Sequence, residues 1–145
     1  MIQVQAVGSE AVREKLRQLG QRMADQALAA TAVEVEEVVR QGAAKHHKQG
    51  ALVGSIYKAR TADGWEIGHD LQRARHALFV VFGTKPHKIQ PRNKKMLRWA
   101  GPNGFIFARV VHHPGYKGDN YLKTAAQLAP QLFAAQVQKR LDRLA

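Results

Sequence analysis

The chain of 145 residues has no cysteine, which excludes a disulfide framework and zinc held by thiolates. It has only two serines, Ser9 and Ser55. Ser9 reads as a helix cap and Ser55 as strand interior, and no nucleophile motif surrounds either. No glycine-rich run is followed by Lys-Ser or Lys-Thr, so a phosphate-cradling loop of the P-loop kind is missing. No apolar run is long enough to cross a bilayer, and the N-terminus lacks a signal-peptide core. Acid is missing from one long region: residues 71–118 contain no Asp or Glu. That stretch therefore offers neither a carboxylate pair for acid–base chemistry nor a hard-cation site.

The net charge is +12, and it is unevenly placed. Residues 1–70 carry nine basic and nine acidic groups, residues 71–118 ten basic and none acidic, and residues 119–145 four basic and two acidic. One connected segment supplies most of the excess, which points to a polyanion or an acidic protein as partner. A hydrophobic content of 45% suits a globular chain. The length suits a single domain, 1–145, burying about 70% of its unfolded surface.

Taken in order, Ile2 to Val7 alternates apolar and polar residues like a half-buried strand. Gly8 breaks it and Ser9 caps a short helix with Val12, Leu16 and Leu19 on one face, ending at Gly20. A second helix is predicted from Gln21 to His47, with Met23, Ala27, Ala30, Val33 or Glu34, and Val38 as its inward stripe. Lys45-His46-His47-Lys48 places cations at the negative end of its dipole. Residues 51–60 and 65–69 read as a hairpin across Thr61-Ala62-Asp63-Gly64. Residues 72–82 are ambiguous: Ala74, Ala77, Leu78, Val81 and Phe82 have helical spacing, yet Phe79 to Phe82 is a strand-forming run. We favour the helix, with Gly83 as the residue after its end. Residues 94–100 and 104–112 form a second hairpin across Gly101-Pro102-Asn103-Gly104. Alternation there would turn many of its aromatic residues toward a core. From Asp119 or Asn120 a last helix begins, with Leu122, Ala126, Ala129, Phe133, Val137, Leu141 and Leu144 inward and a kink or restart at Pro130.

The fold expected is α+β: a mostly antiparallel sheet, made of hairpins 51–69 and 94–112 plus the N-terminal strand, packed by a long N-terminal helix and a kinked C-terminal one. Turn residues Gly83, Pro86, Pro91, Gly101 and Gly115 imply that the basic groups stand on an ordered scaffold, with an extended basic loop at about 83–95. Two adjacent histidines, His112-His113, face opposite sides of a strand and do not make a metal site, so neither metal nor cofactor is expected.

Several of these residues also form an ordered set of motifs. Ala77-Leu78-Phe79-Val80-Val81-Phe82-Gly83-Thr84 is followed by Pro86-His87, Lys94-Lys95, Phe107-Ala108-Arg109, His113-Pro114-Gly115 and Tyr121-Leu122. In order and spacing this resembles the head–tail joining or tail-completion family of long-tailed bacteriophages. That family typically reads A-x-F-V-E-F-G-T, then F-A-R and H-P-G, then P-F-L-R-P-A at the start of a C-terminal helix. Val81 stands where the family usually has Glu, and Asn120 to Ala125 lacks both family prolines. The resemblance implies a non-enzymatic virion protein at the neck, made in the host cytoplasm. It implies a homo-oligomeric ring, commonly hexameric, that meets connector and tail-tube or tail-terminator proteins, with possible contact to packaged DNA and none to membrane.

The residues expected to face a partner or DNA are Lys85, Lys88, Arg92, Lys94, Lys95, Arg98, Arg109, His113 and Lys117, with Gly83 and Gly115 as structural turns. A second reading takes the same residues as a nucleic-acid-binding module, with cations interleaved among Trp99, Phe105, Phe107 and Tyr116.

Overall fold

The computed structural model describes residues 9–46 and 50–144. The predicted N-terminal strand, and His47 and Lys48 of the basic helix end, lie outside them. The fold is α+β, as the periodicities imply: a long N-terminal helix, small antiparallel ribbons and a C-terminal helix packed on the first. The one-domain expectation does not anticipate how the chain divides. It forms two compact units, residues 75–120 being inserted between the two parts of the other.

In the first unit, helix α1 runs unbroken from Ser9 to Ala44. The predicted stop at Gly20 does not occur. Gly20 has no positive φ and open space where a side chain would stand, so it costs helix propensity without ending the helix. A short helix α2, Ala51–Gly54, replaces the first residues of the predicted strand. Strands β1 (Ile56–Thr61) and β2 (Gly64–His69) then pair antiparallel from Ile56↔His69 to Thr61↔Gly64. Gly64, at φ 153°, lets a two-residue loop reverse the chain. Helix α4, Tyr121–Leu141, packs against α1 and passes through Pro130 rather than restarting there. The carbonyl deprived of a donor belongs to Ala126, which is exposed, so water can satisfy it.

The helix faces agree with those predicted only in part: Met23, Ala27, Ala30, Glu34 and Val38 on α1, and Leu122, Ala129, Phe133 and Val137 on α4, are buried or half-buried. On α1 the buried positions are Ala27, Thr31, Ala32, Val39, Gly42 and Ala43, while Val33 is 56% exposed. The hydroxyl of buried Thr31 is satisfied by the Ala27 carbonyl at 2.8 Å, which lets a polar residue take the inward position. On α4, Tyr121 and Ala125 are buried, whereas Ala126 and the terminal Leu141 and Leu144 are exposed.

At Gly42 the two helices touch: a Cβ there would lie 2.4 Å from the Tyr121 Cβ. Polar contacts fix the rest of the packing. Gln136 donates to Glu34 at 2.5 Å, and Arg140 donates to the Gln26 carbonyl at 2.8 Å. Lys58 of β1 reaches Glu36 of α1 at 2.7 Å, and Arg40 meets the other oxygen of that carboxylate at 2.7 Å.

The inserted unit holds helix α3 (Ala77–Phe82) and strands β3 (His87–Ile89), β4 (Leu97–Gly101), β5 (Gly104–Ala108) and β6 (Val111–His113). The helix favoured at 72–82 therefore forms, but only from Ala77. Asp70 holds residues 70–74 in a turn, its carboxylate accepting from the Gln72 amide at 2.9 Å and its carbonyl from Ala74 at 3.0 Å. The strands do not join one sheet. They make separate antiparallel pairs, β3 with β6 and β4 with β5, neither of which joins the β1–β2 pair of the first unit. The predicted arm 104–112 is thus split, its end turning away to pair with residues of the basic loop.

Candidate functional site

The sequence brings two distant motifs together in the inserted unit. After α3, Gly83 takes φ 80° and ψ −174°, a conformation essentially restricted to glycine, while its amide still bonds to the Phe79 carbonyl at 2.9 Å. Thr84 then exchanges both backbone bonds with Tyr116, at 2.8 and 2.9 Å. Further along, His87↔His113, Lys88↔His112 and Ile89↔Val111 continue the pairing. At the other end, the Asp119 amide donates to the Val80 carbonyl at 2.8 Å. The segment 80–89 is therefore zipped against 111–119. Glycines make this possible: a Cβ on Gly115 would lie 2.5 Å from the Thr84 carbonyl oxygen, at a φ of 88° that other residues rarely adopt.

This pairing corrects part of the expected extended loop. Lys88 lies in a strand and Thr84 in a bridge, and the longest irregular stretch of the segment is 90–96. Across the zipper the rings of His87 and His113 stack, with centroids 5.0 Å apart. His87 Nδ1 lies 2.9 Å from the Lys85 carbonyl, which can only accept, so that nitrogen carries a proton. His113 Nδ1 instead accepts from the Gly115 amide at 3.1 Å. His113 is thus a half-buried structural piece of the His-Pro-Gly turn rather than an outward contact. Between this ribbon and α3 lies an apolar cleft of about 690 Å³, lined by Phe79, Val80, Ile89 and Tyr116 together with His76 and Lys85.

The other expected residues stand outward. Lys85, Lys88, Arg92, Lys94, Lys95, Arg98, Arg109 and Lys117 are all exposed. Among the described residues none of the eight forms an ion pair. Residues 75–120 hold nine Lys or Arg against a single acid, Asp119. Arg92, Lys94 and Lys95 border a second cleft of about 740 Å³, which Met96, Arg98 and Phe107 complete.

The aromatic residues of the β4–β5 hairpin do not follow the expectation of an inward face, and two phenylalanines of α3 are equally open. Phe79, Phe82, Phe105 and Phe107 are 58%, 67%, 60% and 56% exposed, which leaves Phe133 as the one phenylalanine better covered. The largest fully buried side chains are Leu52, Val39 and Ser55, and alanine makes up much of the rest of the core. Alternation along a strand assigns residues to two faces, but it cannot say whether anything covers either one. In the β4–β5 ribbon no residue on either face is fully buried.

One constellation had no sequence signal. In the first unit, Ser55 Oγ lies 2.8 Å from His69 Nδ1, and His69 Nε2 lies 2.7 Å from the Tyr121 hydroxyl. A serine beside a histidine invites comparison with an activated nucleophile. The protons argue otherwise. Ser55 Oγ is 2.7 Å from the Leu52 carbonyl, which takes its only hydrogen, so His69 Nδ1 must donate to Ser55 rather than accept from it. Ser55 is also 1% exposed. The trio ties α2, β2 and α4 together.

Compared with known proteins, the chain matches no family model, no curated protein and no solved structure. Among the described residues no three His, Asp or Glu side chains are placed to hold a metal ion, and no helix is long and apolar enough to cross a membrane.

Proposed function

We propose that this chain is a structural subunit that is completed by other macromolecules, and that the particle it builds is the head-proximal end of a long-tailed phage tail. The exposure of four of the five phenylalanines carries the first half of this reading. Scattered apolar residues on a surface are ordinary, but a chain that buries mainly alanine while leaving four phenylalanine rings largely in water presents surfaces meant to be covered. Alongside Phe79 and Phe82, the α1 stripe of Val12, Leu16 and Leu19 is 44–62% exposed. Eight exposed cations in the inserted unit, which form no ion pair among the described residues, add a preference for acidic or polyanionic neighbours.

The second half rests on the order of the motifs. Gly83-Thr84 and His113-Pro114-Gly115, which carry the resemblance, lie side by side in the zipper and depend on each other for their backbone geometry. On this reading copies close into a ring, hexameric by the resemblance, between connector and tail-tube or tail-terminator proteins in the neck of the virion. No chemistry is assigned to the chain.

Mass measurement in solution, and imaging of particles labelled through this chain, test the proposal. Closed rings of one stoichiometry, with label at the neck, are expected. A chain that stays monomeric at all concentrations and is missing from purified particles overturns it.

A further inference from the structure

We propose that one face of the β4–β5 hairpin binds single-stranded nucleic acid, its phenyl rings stacking on bases while neighbouring cations hold phosphates. This does not rest on the ring reading, since the face is defined within one chain.

Pairing of Arg98 with Phe107 and of Ala100 with Phe105 puts Arg98, Ala100, Phe105 and Phe107 on one face. Leu97, Trp99, Ile106 and Ala108 occupy the other. The two faces differ in cover. Phe105 and Phe107 are 60% and 56% exposed, whereas Trp99 and Ile106 are 41% and 43% exposed and Leu97 and Ala108 are half-buried. The more open face also holds the charge. The Arg98 guanidinium sits 4.2 Å from the centroid of the Phe105 ring, a cation on an aromatic plane that is already in place before any ligand arrives.

Phe107 also forms one wall of the cleft of about 740 Å³ whose other walls include Arg92, Lys94, Lys95 and Arg98. A ligand on the ring therefore has four cations within the same cleft, and no carboxylate between residues 71 and 118 competes for them. Two rings at alternate positions of a strand stand about 7 Å apart, roughly twice the ~3.4 Å separation of stacked nucleotides in B-form DNA.

The ligand must match both features at once. An acidic protein surface satisfies the cations but has no reason to offer flat plates at that repeat. A nucleic acid has a charged backbone and a planar base in every unit, and stacking is available to any base. The strand must be single, because in a duplex the base faces are already stacked on one another.

Fluorescence anisotropy with a labelled thymidine oligonucleotide tests this, with a duplex of equal length and polyglutamate as comparisons. Affinity for the oligonucleotide should exceed that for either comparison by about tenfold or more. Phe105→Ala with Phe107→Ala should weaken it by about tenfold per ring at constant salt, whereas Phe107→Trp, which keeps a stacking plane, should retain it. Lys94→Gln with Lys95→Gln should instead flatten the dependence of log affinity on log salt by about 1.4. Ile106→Ala, on the opposite face, should leave binding unchanged, which separates stacking from integrity of the hairpin. Equal affinity for polyglutamate or duplex, an unchanged Phe-to-Ala pair, or an equal loss from Ile106→Ala would each overturn the proposal.

Discussion

Gly83 and Gly118 meet with no room for a side chain on either. A Cβ on Gly83 would lie 2.9 Å from the Gly118 amide nitrogen, and one on Gly118 would lie 2.5 Å from the Gly83 nitrogen. Both have positive φ, at 80° and 76°. This contact clamps the end of α3 to the segment leading into α4, and it sets the geometry of the zipper between them.

Gly83→Val should be severely destabilising. The new Cβ would stand 2.2 Å from the Tyr116 carbonyl oxygen, in a backbone conformation that a β-branched residue avoids. Strain and clash together should cost about 3 kcal/mol or more, read as a fall in the urea midpoint. A midpoint within error of the parent would refute the clamp.

Gly20→Ala should do the reverse. Position 20 lies inside a continuous exposed helix with nothing near the missing side chain, so alanine should add about 0.5–1 kcal/mol of stability and raise helix content. If the helix ended there on a left-handed glycine, alanine would lower both. Circular dichroism and thermal melting distinguish the two outcomes.

Gly42→Ala carries the same helix-propensity gain but places a methyl group 2.4 Å from the Tyr121 Cβ. Overpacking between α1 and α4 should dominate, with a net loss of about 1–3 kcal/mol. A gain in melting temperature at this position would show that the helices are not in contact there.

Acid should weaken the first unit through Glu36. Lys58 and then Arg40 hold its carboxylate below the ordinary glutamate value of 4.5. A carboxyl depressed in the folded chain favours folding above its unfolded value, and that contribution is lost as pH falls through the folded one. Unfolding followed from neutral pH to below 4.5 should therefore show a stability loss that is shallower in Glu36→Gln. Parallel curves for the two proteins would remove Glu36 from this role.

Reversing charge at Arg92, Lys94 and Lys95 together should leave melting temperature almost unchanged, because the three are exposed and none has an ion-pair partner among the described residues. Partner binding or particle completion should fail. If the triple variant completes infectious particles as the parent does, these cations only face solvent.

Local chemistry made several elements legible. Asp63-Gly64 and Asn103-Gly104 announce tight reversals, and hairpins form at both. Gly83 and Gly115 read as forced turns, and both have positive φ. The long apolar periodicities produced α1 and α4. The errors have physical causes. Gly20 resembles a helix stop, but propensity alone does not break a helix long enough to continue on either side. Ala51 to Gly54 forms one helical turn because its bonds close locally, from Gly54 to Gly50 and from Ser55 to Ala51, before the chain extends.

By itself the sequence determined the composition of the inserted unit: a cation-rich stretch whose single acid, Asp119, stands near its end, with turns at set positions and a helix of 3.6-residue period after it. Those properties depend on neighbours along the chain, where sequence is sufficient. Tertiary structure alone decided that residues 80–89 zip to 111–119, that Thr31 is buried while Val33 is exposed, and that neither face of the aromatic hairpin is fully covered. Each of these depends on what lies across space from a residue. Periodicity specifies which residues share a face, and only the packing of distant segments specifies whether that face meets protein or water.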